Sequence, residues 1–179
     1  MLKFPADGAD APPVILAPLA GITDLPYRNL VASFGADLVV SEMVASREMV
    51  EGKGAARDRA EIGADVEGTA VQIAGREARW MAEAARMLEG QGARIIDINM
   101  GCPAKKVTGG MSGSALLKDL DHAISLIDAV KAAVSIPVSL KTRLGWDDDL
   151  LNAPDLARRA ENAGVAWITI HGRTRCQFY

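Results

Sequence analysis

The residues able to do chemistry gather where an apolar run stops. Ile95-Ile96-Asp97-Ile98 reads as a strand ending at Asn99, and Met100-Gly101-Cys102-Pro103 follows as a turn carrying a thiol. Side chains alternate along a strand, so Asp97 and Asn99 share one face while Ile96 and Ile98 share the other. Beyond the cysteine come Lys105, Lys106 and the glycine-rich Gly109-Gly110-Met111-Ser112-Gly113, which read as a flexible loop. A thiol on a loop at the C-terminal end of a strand stands where an α/β barrel carries its chemistry. A small buried cysteine in a strand-to-helix turn is the plainer reading of Cys102 alone.

The elements that must position this thiol repeat a single pattern of helix, glycine, small residue and apolar strand. It recurs at Gly35-Ala36, Gly92-Ala93 and Gly164-Val165, each reading as a helix C-terminus feeding a strand. Strands are expected at 14–17, 38–41, 69–73, 95–99, 138–141 and 167–171. Helices are expected from Asp24 as a cap to about residue 34, and over 44–50, 77–91, 120–133 and 154–163. Residues 1–13 read as a lead-in, and the charged, Gly- and Ala-rich 51–66 as a surface loop. The strands are near-continuously apolar, as strands covered on both faces are. The alternation predicts an α/β chain of the (β/α)8 TIM-barrel type, with residues 14–179 supplying about the first six βα units of the eight a closed barrel has.

In such a barrel the strand ends meet on one face. They collect Pro18, Leu19 and Ala20 after the first strand, Ser41 and Glu42 after the second and Gln72 on the third. Asn99 and Cys102 follow on the fourth, Lys141 and Arg143 on the fifth, and His171 and Arg173 on the sixth. Gln72 offers a donor beside an acceptor, which suits a ring edge with N–H next to C=O, such as uracil or a flavin pyrimidine. Lys141 brings a cation to the same centre. The plain alternatives are a satisfied barrel-layer amide, a lysine paired to an acid, and a hydrogen-bonded structural histidine at His171.

Composition narrows the classes. The 179 residues are 49% hydrophobic and 24% charged with a net charge of −3, so no global basic field marks a nucleic-acid partner. The basic side chains Lys105, Lys106, Arg143, Arg173 and Arg175 instead fall on loops after strands, predicting one basic face for an anionic partner. Cys102 and Cys176 form no spaced metal motif or disulfide framework. No apolar run approaches a membrane span and the first residues lack a signal-peptide core, which favours a cytoplasmic protein with no membrane partner.

Ala17-Pro18-Leu19-Ala20-Gly21-Ile22-Thr23-Asp24, Val71-Gln72-Ile73, the Asp97–Pro103 motif, Gly113-Ser114-Ala115-Leu116-Leu117, Lys141-Thr142-Arg143 and His171-Gly172-Arg173-Thr174 together resemble the motif series of the tRNA-dihydrouridine synthases, with order and spacing closest to the bacterial B-type branch. The resemblance covers about residues 14–179. It implies an FMN-dependent reduction of uridine to 5,6-dihydrouridine in tRNA, with NADPH re-reducing the flavin. It implies that the backbone of Pro18, Leu19 and Ala20 lies against the isoalloxazine, that Gln72 meets its pyrimidine edge, that Lys141 lies near N1 and the C2 carbonyl, and that His171 helps hold the cofactor. Asn99 is expected to face the target uracil, Cys102 to act as general acid, and Lys105, Lys106, Arg143 and Arg173 to meet RNA. The family pattern implies two further βα units carrying the flavin-phosphate loops, then a helical RNA-binding domain. From that, weak or no FMN binding by residues 1–179 alone, and self-association through open strand edges or poor solubility, are expected. The residue readings leave open a flavin barrel acting on a small pyrimidine, a Schiff-base aldolase using Lys141, and an inactive fragment of the synthase.

Overall fold

The computed structural model describes residues 12–63 and 69–177. Seven strands, β1 (Ile15–Leu16), β2 (Leu38–Val40), β3 (Val44–Ala45), β4 (Thr69–Ala74), β5 (Ile95–Met100), β6 (Val138–Arg143) and β7 (Trp167–His171), form one sheet. All pairs are parallel, in the order β1-β2-β4-β5-β6-β7, with the short β3 also on β4. Helices α1 (Leu25–Ser33), α2 (Ser46–Val50), α3 (Gly54–Arg59), α4 (Ala78–Gly90), α5 (Lys105–Thr108), α6 (Leu120–Ala133) and α7 (Ala153–Asn162) alternate with the strands, and a 3-10 turn runs over Gly113–Lys118. Spatial order follows chain order, and the sheet curls into a half-barrel, part of a TIM barrel.

Local rules account for the helices that carry the frame. Asp24 caps α1 by accepting from the Tyr27 N–H at 3.0 Å, and Pro26 sits in its first turn, where its missing N–H costs nothing. Asp119 caps α6 in the same way through the His122 N–H. Gly92 closes α4 with φ +101°, a conformation that disfavours a Cβ.

The two sheet faces differ in chemistry. Outward-facing Val71, Ile73, Ile96, Ile98, Val138 and Leu140 pack with Met81, Ala84, Ala85 and Leu88 of α4, Leu126, Ile127 and Val130 of α6, and Leu156 of α7. Each fully buried Leu, Ile or Val contributes about 1.5–3 kcal/mol, so this layer holds the sheet to its helices. The inner face begins with an apolar layer of Leu38, Val40, Ala70 and Ile95, with Ile15 and Trp167 against it. Above it the register sets Gln72, Asp97 and Ser139 side by side, and then Asn99 beside Lys141 beside Thr169.

Three expectations change. The surface loop over 51–66 contains α3, whose Ala56 enters the core together with Ala60; small residues that looked like loop filler allow close packing. Residues 64–66 lie outside the described residues. The helix expected over 44–50 starts as β3, because Val44 and Ala45 pair with Ile73 and Ala74 before α2 begins. The glycine-rich loop after Cys102 is not loose: α5 and the 3-10 turn fold it back on the cysteine.

Candidate active site

The thiol turn is held from two sides. Asn99 Oδ1 accepts from the backbone N–H of Gly101 at 3.1 Å and of Cys102 at 2.9 Å. The Cys102 carbonyl accepts from the Ser114 N–H at 3.1 Å and the Ser114 hydroxyl at 2.9 Å. Gly113 makes that return possible: its φ is +59°, and a Cβ there would lie 2.8 Å from the Cys102 oxygen. Cys102 itself is half-buried, shielded yet reachable.

Behind this turn runs a buried chain of polar groups. Ser139 Oγ donates to Asp97 Oδ1 at 2.5 Å, Gln72 Nε2 donates to Asp97 Oδ2 at 2.7 Å, and Asn99 Nδ2 donates to Gln72 Oε1 at 2.8 Å. Gln72 is 1% and Asp97 5% exposed, so neither meets bulk water. Burial pushes the Asp97 carboxyl up, opposed by its bonds from Ser139 and Gln72 and by the nearby charge of Lys141. Gln72 and Asn99 were expected to face ring edges. Gln72 gives one amide hydrogen to Asp97 and one lone pair to Asn99, and Asn99 gives one amide hydrogen to Gln72 and its oxygen to the thiol turn. Asp97 and Ser139 were not among the expected site residues, although the alternation that puts Asp97 on the face of Asn99 was the available signal.

Lys141 stands beside Asn99 in register, half-buried at the top of β6. Among the described residues its ammonium has no hydrogen-bond or ion-pair partner. Desolvation draws its pKa down, Asp97 partly restores it, and Arg143 lowers it further. It helps line a pocket of about 80 Å³ that Ala17, Pro18 and Thr169 also border. His171, at the top of β7, has its imidazolium disfavoured first by burial and then by Arg143, Lys141 and Arg173. A neutral ring, one nitrogen donating and the other accepting, is the form this setting favours.

The β1 loop is built to present backbone. The buried Thr23 hydroxyl accepts from the Leu19 N–H at 3.1 Å and donates to the Leu19 carbonyl at 3.2 Å. The Gly21 N–H donates to Glu42 Oε2 at 2.6 Å, which ties this loop to the end of β2. Leu19 and Ala20 are exposed on it and Pro18 is half-buried.

The basic side chains divide. Lys105 and Lys106 are exposed on α5, as expected of groups that meet an anion. Arg143 is half-buried and bound to backbone: Nε donates to the Gly101 carbonyl at 2.7 Å and Nη1 to the Thr174 carbonyl at 3.1 Å. Arg173 is half-buried two residues after His171. Arg175 and Lys118 lie over Trp146, at 4.8 and 3.7 Å from its ring centre. The loop between β6 and α7 also carries Asp147, Asp148 and Asp149, so the strand-end face is mixed in sign rather than uniformly basic. Beside the thiol loop a recess of about 630 Å³ runs from Lys106, Val107 and Gly110 to Arg76 and Trp80; nothing in the sequence pattern marked it.

No helix among the described residues is long and apolar enough to cross a membrane, and no group of His, Cys, Asp and Glu among them is placed to hold a metal ion. The arrangement can donate a proton from a positioned thiol next to a cation at the mouth of a barrel.

The chain is similar to known proteins. The solved structure of a putative phosphonomutase from Burkholderia cenocepacia superposes with a TM-score of 0.59 at 19% identity, over 88% of this chain and 69% of that one, a likeness of fold alone. A probable tRNA-dihydrouridine synthase of Rhodobacter capsulatus is 64% identical over 170 residues, 94% of this chain and 52% of the relative. The tRNA-dihydrouridine synthase B of Xanthomonas campestris is 48% identical over 169 residues, 94% of this chain and 51% of that protein. The chain thus spans about half the length of the curated relatives it matches. The family model described as dihydrouridine synthase (Dus) matches residues 15–179, from β1 through the loop after β7, and the chain belongs to that family.

Proposed function

We propose that the protein acts as an FMN-dependent tRNA-dihydrouridine synthase, with the flavin ring and a tRNA uridine meeting over the ends of β5 and β6. The observation that carries this reading is the pairing of a fixed thiol turn at Cys102 with the half-buried ammonium of Lys141 on the next strand, unpartnered among the described residues. The donor set suits the ring. Lys141 supplies positive charge, Pro18, Leu19 and Ala20 a backbone ledge, and His171 a neutral hydrogen-bonding nitrogen. With one amide hydrogen given to Asp97 and one lone pair to Asn99, Gln72 keeps one of each for a ring edge.

FMN, when bound, supplies the hydride that goes to C6 of uracil, with NAD(P)H as the reductant. Cys102 completes the reduction by giving its thiol proton to C5 of the base, and its backbone, fixed by Asn99 and Ser114, aims the sulfur. Lys141 stabilises negative charge where it develops; its partial burial strengthens that effect because little water screens it. Lys105 and Lys106 hold the RNA backbone, which helps keep the target base out of its stack. Arg143 serves the site by tying down the Cys102 turn rather than by meeting RNA.

The test is a pair of single-turnover rates in the flavin-loaded synthase. Cys102→Ala slows flavin reoxidation by tRNA about 10²–10⁴-fold, the usual effect of losing a positioned acid, and leaves reduction of the flavin by NADPH near the parent rate. A parent-like reoxidation rate in that variant rejects the acid role.

A further inference from the structure

Asp97 is the only buried carboxylate among the described residues, and the proposed chemistry does not use it. It lies one layer below the site and ends a chain of hydrogen bonds that reaches the thiol turn. The two ends of that chain have fixed polarity. The backbone N–H groups of Gly101 and Cys102 only donate, and at the other end Asp97 Oδ2 accepts from Gln72. Between them stand two primary amides, each with a donor end and an acceptor end. One arrangement alone satisfies every contact. Gln72 turns Nε2 to Asp97, which leaves Oε1 for Asn99 Nδ2, which leaves Asn99 Oδ1 for the two N–H groups. Reversing either amide sets donor against donor, or acceptor against acceptor, in a space that water does not reach, where unmade hydrogen bonds are costly.

We propose that Asp97 is a positioning residue that, through Gln72 and Asn99, fixes the geometry of the Cys102 turn. Ser139 takes part by holding the second carboxylate oxygen, so Asp97 cannot rotate away from Gln72. The strand register makes the device possible, since Gln72, Asp97 and Ser139 are cross-strand neighbours on the inner face, and Asn99 follows Asp97 on that face one pleat nearer the mouth. Its catalytic meaning rests on the reading of Cys102 as the reacting thiol. The geometric claim does not, and the experiment addresses the geometry.

In a Cys176→Ala background Cys102 is the sole cysteine of the chain, and its alkylation by iodoacetamide reports the setting of the turn. Asp97→Asn keeps an acceptor for Gln72, and its amide N–H can donate to the Ser139 hydroxyl. Asp97→Leu keeps the bulk and removes the acceptor. Under conditions where each variant is fully folded, the leucine variant changes the alkylation rate on the order of tenfold while the asparagine variant stays within about twofold of the parent. A folded leucine variant with the parent rate, or an asparagine variant as altered as the leucine one, overturns the proposal. Should the leucine variant not fold, the parent protein decides by NMR. Side-chain amide protons of Gln72 and Asn99 that exchange as slowly as the β5 backbone amides support the relay, and free exchange at either overturns it. Neither readout needs flavin or tRNA, so failure here is distinguishable from failure of the catalytic reading.

Discussion

Gly113→Ala presses directly on the Cys102 turn, and its cost can be worked from the geometry. The native φ of +59° is a left-handed conformation that costs a residue with a Cβ about 1–2 kcal/mol. The added methyl would lie 2.8 Å from the Cys102 carbonyl oxygen, 2.9 Å from Val107 Cγ1 and 3.1 Å from Cys102 Cβ. Val107 can yield by turning its side chain. The Cys102 carbonyl cannot move as easily, because it accepts from both the N–H and the hydroxyl of Ser114. Overpacking of this kind costs about 1–3 kcal/mol, while a stiffer unfolded chain returns about 0.4–1 kcal/mol. The expected loss is therefore roughly 1–4.6 kcal/mol, or about 2–18 °C in melting temperature for a chain of this size. Urea melts followed by circular dichroism measure the stability, and iodoacetamide labelling of Cys102 measures the local displacement. Gly172→Ala is the control, since its φ is not left-handed and its Cβ would meet nothing within 4 Å. A Gly113→Ala protein that melts with that control and labels at the parent rate refutes the reasoning.

Arg143→Met removes two charge-assisted bonds to the Gly101 and Thr174 carbonyls; discounted for partial exposure, this is expected to cost about 1–3 kcal/mol in urea melts, with Arg143→Lys recovering less than half because an ammonium lacks the fork. The folded Asp97 carboxyl titrates above its unfolded value, so its ionised form is the costly one: from the unfolded carboxylate range near pH 4 up through the folded pKa, the parent loses stability relative to Asp97→Asn, and urea melts at several pH values that show no such divergence contradict the burial argument. Glu89 has the opposite sign. Its carboxylate accepts from the Ser135 hydroxyl and the N–H groups of Ser135 and Ile136, which hold its pKa down, so the advantage of the parent over Glu89→Gln is present above the unfolded pKa and disappears as pH falls through the folded one.

The frame was legible in the sequence because its signals are local. Glycine after a helix, an acidic cap before one, and apolar runs of strand length each act within a few residues, and β7 and α6 fall where those signals put them. Misread segments obeyed partners distant in sequence. Val44 is drawn into a strand by Ile73, and Ala56 and Ala60 are drawn inward by a core that forms largely from later elements. The site divides in the same way. Residue types at strand ends brought Cys102, Lys141 and His171 to one mouth. The use of each polar group depends on cross-strand register, which spacing along one strand does not reveal. Gln72 and Asn99 therefore read as ligands to ring edges, and the structure adds bonds from them to Asp97, to each other and to the backbone. Arg143 carried a charge that looked destined for phosphate and is instead held by carbonyls.

That arginine also bears on the order in which the molecule is built. It reaches back 42 residues to Gly101 and forward 31 to Thr174, joining the ends of three consecutive strands. Along β1-β2-β4-β5-β6-β7 spatial order follows chain order, so each of these strands can dock on the one before it as it leaves the ribosome, while the short β3 waits for β4. The clasp at Arg143 waits too: it cannot close fully until the loop beyond β7 has arrived. The thiol turn is thus held by Asn99 and Ser114 soon after it is synthesised and receives its last tie only when Thr174 follows. A nascent chain stopped before Thr174 would display a paired sheet around a cysteine held by Asn99 and Ser114, with the Arg143 clasp closed on one side only.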